Sequence, residues 1–209
     1  MSNIKFYIVD TETTGLKASY NEVTEVGVIR YDDRFQLWKQ VKCEYPSRAN
    51  FDALAITNKS MADLSNGDDS LDVINATEKF LNEDGLTPAH RCVVAHNAPF
   101  DRRFIHAMWE RHDKSFPADL WLDTMSLMRT FVKTAGLGKT SVALHASADL
   151  LNIKKLSEAH NAKVDSRNLY LIFKELQARN IDYLPFIKSF KHEVKKDDLY
   201  DFDAVTDLE

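Results

Sequence analysis

Apolar residues along the chain fall into two rhythms. Residues 4–9, 23–31 and 35–45 are dense in β-branched and aromatic side chains, with a turn at Asp32 and Asp33 between the second and third runs, which predicts three opening strands arranged as a meander. The spacing then becomes helical over residues 51–64 and 71–81, with Asp68 to Ser70 offering cap-type side chains between them. Residues 91–95 form a short apolar run of strand type. Asn97 and Pro99 follow as a cap and an early-turn proline, so a helix is expected over residues 98–111. A last short strand is expected at residues 122–124, with helices near 125–133, 141–151 and 162–179. Strands first and alternation afterwards imply an α/β fold, a mixed sheet flanked by helices.

Two helical stripes break their own pattern. Asp101 heads the row Ile105 and Met108, and Asp165 heads the row Leu169, Ile172 and Leu176, so each sets a carboxylate where an apolar residue belongs. One such acid reads as a helix cap that gains a few tenths to about one kcal/mol. Two of them facing a core call for a partner, because a desolvated carboxylate is costly. Asp10 and Glu12 close the first apolar run two residues apart, and in a strand that spacing sends both side chains to one face. Alone the pair reads as solvated loop acids. With Asp101 and Asp165 it supplies four carboxylates, enough to balance two Mg²⁺ ions, which take oxygen ligands and in pairs support in-line displacement at phosphorus. His160, five residues before Asp165, can supply a base near neutral pH, although a lone histidine is ordinarily a surface or structural residue.

Composition adds limits. The 209 residues, 44% hydrophobic and 28% charged, are those of an ordinary globular protein with a substantial core, expected as one domain over residues 1–192 followed by an acidic tail over 193–209. No apolar run approaches the roughly 20 residues that span a bilayer, and the first residues lack a secretory pattern, so a cytoplasmic protein is expected. Cys43 and Cys92 fit no metal or disulfide spacing and are expected to be buried thiols. The tail holds seven acids against Lys195 and Lys196 and so accounts for the whole net charge of -5. The neutral body that remains argues against gripping many duplex phosphates. Leu199, Tyr200, Phe202, Val205 and Leu208 are interleaved with the tail's acids, and the tail is expected to dock on its own body or on a partner. The segment AGLGKT at 135–140 fails as a phosphate loop, which needs glycine where Lys133 stands. Its glycines are expected to end one helix before Ser141 caps the next. Asp123 and Thr124 suit a helix start, His96 is expected to hydrogen-bond within the site, and His145 has no motif support.

The segments DTETTGL, HNAPFD and HNAKVD resemble, in that order, the three motifs of the DnaQ-like 3'-5' exonucleases of the DEDDh type. The resemblance runs from residue 4 to about residue 176. AHNAPFDRRF and DTMSLMR look closest to the exonuclease X group, with polymerase proofreading subunits and ribonuclease T as further relatives. It implies a ribonuclease H-like fold with a mixed five-stranded sheet, two Mg²⁺ or Mn²⁺ held by Asp10, Glu12, Asp101 and Asp165, and His160 activating water. It also implies that Thr13, Thr14 and Leu16 lie beside the terminal nucleotide, Leu16 as an apolar wedge, with Asn97 and Phe100 nearby. Asn161 departs from relatives that often carry Asp after the histidine. The implied partner is a single-stranded or frayed nucleic-acid 3' end, DNA favoured, and a homodimer or a polymerase or repair partner stays open. RNA 3'-end trimming and a noncatalytic end-binding module are the alternatives.

Overall fold

A computed structural model describes residues 4–156 and 160–192. The expected meander is β1 (Lys5–Thr13), β2 (Val23–Arg30) and β3 (Gln36–Gln40); α1 (Phe51–Ile56) and α2 (Ser70–Asn82) follow it. The rest alternates as β4 (Arg91–Ala95), α3 (Ala98–Glu110), β5 (Leu120–Asp123), α4 (Thr124–Thr134), α5 (Leu144–Leu150), α6 (Ala162–Ala178) and β6 (Ile187–Ser189). All the strands join one sheet in the order β3-β2-β1-β4-β5-β6. β1, β4 and β5 run parallel, and the remaining neighbours are antiparallel.

The mixed α/β architecture is the expected one, but the sheet has six strands rather than five. The sixth, β6, covers three residues and pairs with the end of the sheet at β5. That is too short for an alternation to register in the sequence. The helix expected over 51–64 stops at Ile56, because Asn58 turns left-handed at φ 53° and only a 3₁₀ turn, Asp63–Ser65, follows. The third strand stops at Gln40, after which Val41 makes an isolated bridge to Asp68. Conversely, β1 runs four residues past the apolar stretch, since β2 continues to offer it hydrogen-bonding partners through Thr13.

Strand alternation divides the core. Tyr7 and Val9 of β1 join Val26, Val93, Phe104 and Trp109 on the face covered by α3, while Ile8 joins Val94, Leu122, Leu127, Leu169 and Ile172 on the face covered by α4, α5 and α6. Cys43 and Cys92 are buried free thiols. Where β4 begins, Arg91 is buried and its guanidinium grips Asp84 at 2.7 Å, while the Tyr7 hydroxyl donates to the same carboxylate at 2.7 Å. Among the described residues, no helix is long and apolar enough to cross a membrane. The acidic segment 193–209, with its expected docking, lies outside the described residues.

The site is placed by a divergence of strands. β1 pairs with β4 only from Lys5 to Ile8, whereas its pairing with β2 continues to Thr13. Beyond Ile8 the two parallel strands no longer pair, with α3 on one face and α6 on the other, and in open α/β sheets the carboxyl ends of such strands are where a binding crevice forms.

Candidate active site

Asp10 and Glu12 lie within β1, opposite Gly27 and Glu25 of β2, and project to the α6 face. The intervening Thr11 projects to the α3 face, where its N–H (3.0 Å) and hydroxyl (2.9 Å) both donate to Asp101. Asp101 occupies the first turn of α3 and is 4% exposed. Asp123, at the end of β5, sets this helix start: its Oδ1 accepts the N–H groups of Asn97 (2.9 Å) and Ala98 (3.2 Å), and also caps α4 through the Met125 N–H at 3.2 Å. Asn97 takes the cap position of α3 with φ 73°, but its side chain makes no capping bond. The expected cap is therefore supplied from another strand.

α6 approaches the sheet more closely than side chains normally permit. A Cβ on Gly27 would lie 2.3 Å from the Ala162 carbonyl oxygen and 2.9 Å from Ser166 Oγ. The Ala162 N–H donates to Glu25 at 3.1 Å, and Asn161 caps the helix by accepting the Val164 N–H at 2.9 Å. This approach brings Asp165, in the first turn and 4% exposed, to the carboxylates of β1. One ligand atom each from Asp10, Glu12 and Asp165 lies within 4.8 Å of the others. Asp101 stands outside that trio, tethered to Thr11.

His160 Nδ1 is 3.9 Å from Asp165 Oδ2, and the histidine is half exposed. His145, which had no motif support, stands against the other oxygen of the same carboxylate, with Nε2 3.7 Å from Oδ1. The His96 ring meets the Thr124 hydroxyl at 2.9 Å and the Val142 carbonyl at 2.8 Å, so it ties the segment ahead of α5 to the sheet. Thr13 and Thr14 are buried and their hydroxyls are engaged inside the turn, with the Gly15 carbonyl at 2.7 Å and the Glu22 N–H at 2.9 Å. Leu16 beyond them is 77% exposed. Phe100 is half-buried against Phe104, with ring centroids 4.9 Å apart.

Burial, and for some the crowding of acids at the carboxyl end of β1, changes the acidity of the site's carboxylates. Burial raises Glu12 to about 8, aided by the charges of Asp165, Glu25 and Asp101 and opposed by Lys59. Asp10 is held well above the ordinary carboxylate range, by burial first and then by the Asp101 charge. Burial carries Asp101 to about 7 against the two Thr11 hydrogen bonds, and Asp165 is also raised by burial. Glu25 is a further buried acid, opposite Glu12 on β2; it is paired with Lys59 and takes the Trp38 indole N–H at 3.2 Å.

Sequence comparison points in the same direction as this geometry. A protein-family model described as an exonuclease matches residues 7–173. The DNA polymerase III subunit epsilon of Treponema pallidum is 26% identical over 179 residues, which cover 85% of this chain and 79% of that protein. The PolC-type DNA polymerase III of Streptococcus pneumoniae is 25% identical over 185 residues, covering 86% of this chain and 12% of that protein, so the chain spans only a small part of such relatives. Among solved structures, E. coli exonuclease I in complex with a dT13 oligonucleotide superposes with a TM-score of 0.71 at 18% identity, covering 87% of this chain and 43% of that one. At that identity the likeness is one of fold, the ribonuclease H-like α/β architecture.

Proposed function

Because this chain belongs to the exonuclease family, whose model it matches from residue 7 to residue 173, we propose that it is a 3'-5' exonuclease. In this reading it removes nucleoside 5'-monophosphates from nucleic-acid 3' ends, DNA favoured, by two-metal-ion phosphodiester hydrolysis. The observation that carries it is the trio of Asp10, Glu12 and Asp165, with ligand atoms within 4.8 Å of one another.

The donor set fits hard divalent cations. Every atom of the trio is a carboxylate oxygen, and Asp165 Oδ1 is buried without a hydrogen-bond partner. The acids are held above their normal range first by burial, and Asp10 and Glu12 also by the negative charges of their neighbours. Mg²⁺ or Mn²⁺ suits such ligands. Asp10, Glu12, Asp101 and Asp165 would hold a pair of these ions, which when bound supply Lewis acidity and align an in-line displacement at phosphorus.

The chain's own residues do the rest. His160 takes the proton as a water oxygen bonds to phosphorus and the P–O3' bond breaks, and the Asp165 carboxylate faces the imidazole as it gains charge. Exposed Leu16 offers apolar surface to the terminal base, and Asn97 and Phe100 border the same crevice from the start of α3. Thr13 and Thr14, with their hydroxyls occupied, serve by shaping the turn that presents Leu16. The DNA preference rests on relatives named as DNA polymerases.

A 5'-labelled single-stranded DNA oligonucleotide incubated with the protein and Mn²⁺ should yield a ladder shortening from the 3' end, abolished by EDTA and by Asp10→Ala. Matched DNA and RNA strands, run side by side, test the sugar. Faster loss of the RNA would replace DNA with RNA in the proposal, and no digestion of either at several-fold molar excess of protein would overturn it.

A further inference from the structure

One carboxylate of the site is flanked by two imidazoles. His145 Nε2 lies 3.7 Å from Asp165 Oδ1, and His160 Nδ1 lies 3.9 Å from Asp165 Oδ2. One ligand atom from each of the three residues falls within 4.8 Å of the other two. The rings meet edge to face, 5.5 Å between centroids at 86°. Both ring nitrogens of His145 and Oδ1 of Asp165 are buried with no hydrogen-bond partner. Buried polar atoms left unsatisfied side by side are costly, and a shared ligand would remove that cost.

Packing fixes His145 in place. It is the second residue of α5, whose Ala148 is buried in the core shared with Leu169 and Ile172 of α6. The carbonyl of Val142, just before the helix, is held by His96 at 2.8 Å and by the Ser147 hydroxyl at 3.0 Å.

We propose that His145, His160 and Asp165 form a transition-metal site, selective for Zn²⁺ over Mg²⁺, whose occupation arrests the enzyme. Two imidazoles and one carboxylate are the donors of three-ligand zinc centres, and four-coordinate zinc with bonds near 2.0–2.2 Å sets its ligand atoms about 3.4 Å apart. The three ligand atoms, within 4.8 Å of one another, need at most about 1.4 Å of closure to reach that spacing. Imidazole suits Zn²⁺ while Mg²⁺ seeks oxygen, so the two metals sort between this site and the all-carboxylate trio. Zinc here occupies the nitrogen of His160 that faces Asp165 and draws Asp165 away from Asp10 and Glu12. Arrest follows from the exonuclease reading; the site itself does not depend on it.

The test uses the full chain in excess Mg²⁺. Added Co²⁺, as a zinc surrogate, should give the intense visible bands of a four-coordinate ion in the wild type, and His145→Gln should lose them. For the same variant the Zn²⁺ concentration that halves Mg²⁺-supported digestion should rise at least about tenfold, with digestion in Mg²⁺ alone unchanged. As a check that needs no variant, Zn²⁺ but not Mg²⁺ should shield the half-exposed His160 from diethylpyrocarbonate. Cobalt bands and zinc sensitivity that survive His145→Gln, or equal modification with and without Zn²⁺, would overturn the site. If Mg²⁺ supports no digestion while the cobalt bands still depend on His145, the site stands and the exonuclease reading falls.

Discussion

Asp165 is the residue on which most of the site converges. It completes the oxygen trio with Asp10 and Glu12, faces His160, and owes its position to the first turn of α6. If His160 is the base, His160→Gln should lower kcat by ~10²–10⁴ while leaving KM and the melting temperature nearly unchanged, measured by single-turnover digestion and a thermal melt. A parallel rise in KM would assign the histidine to binding. Asp10, Glu12, Asp101 and Asp165 were legible because each violates the pattern of its own element, an acid where a core residue belongs or a doublet of acids at period two, and His160 through its spacing to Asp165. His145 violates nothing. It opens a short helix of ordinary sequence and reaches Asp165 through packing of α5 on α6, which local spacing does not encode. Glu25 was hidden for a similar reason, since only the cross-strand register with Glu12 brings it to the site. Thr11 had a signal that could have been used, because alternation sends it to the face opposite Asp10 and Glu12, where it meets Asp101.

At the scale of elements, close approach of α6 to β2 determines where the helical acid sits. Gly27→Ala would place a methyl group 2.3 Å from the Ala162 carbonyl, and backbone on both sides leaves little room to yield. The expected outcome is a loss of about 1–3 kcal/mol in denaturant unfolding, with a larger proportional fall in kcat as Asp165 withdraws from Asp10. Unchanged activity at reduced stability would show that the helix can shift without disturbing the carboxylates. The existence of α3, β4 and α6 was readable because caps, apolar periods and breakers agreed over whole segments. The full extent of β1 was not, since its last residues are polar and remain strand only because β2 pairs with them. β6 was invisible for want of length. The start of α3 was readable, but the Asp123 side chain that fixes it comes from a different strand, a tertiary fact.

For the whole molecule, two sets of carboxylates pull stability in opposite directions with pH. Burial alone would raise Asp84, but Arg91, the Leu86 N–H and the Tyr7 hydroxyl bring it down to about 2. The folded state therefore binds fewer protons there than the unfolded chain, and this stabilisation, present above about pH 4, is lost as pH falls toward 2. Glu12, raised to about 8, and Asp101, raised to about 7, act with the opposite sign. The folded state holds protons that the unfolded chain has released, so stability present below about pH 4 is lost as pH rises through 7 to 8. Thermal melts in EDTA should therefore fall from pH 5 to pH 8, and Mg²⁺ or Mn²⁺ should raise the melting temperature most at the alkaline end. An increment independent of pH would mean that the ions bind elsewhere.

The parting of β1 from β4 after Ile8 has a consequence for how such a protein can change over time. The Thr11 N–H donates to a side chain of α3, Asp101, so this stretch of β1 is closed on one edge by a helix and not by a neighbouring strand. Substitutions along α3 can therefore reshape one wall of the crevice without unpicking the sheet. The floor, shared between β1 and β2, stays under the constraint of continuous pairing, leaving specificity freer to drift than the chemistry beneath it.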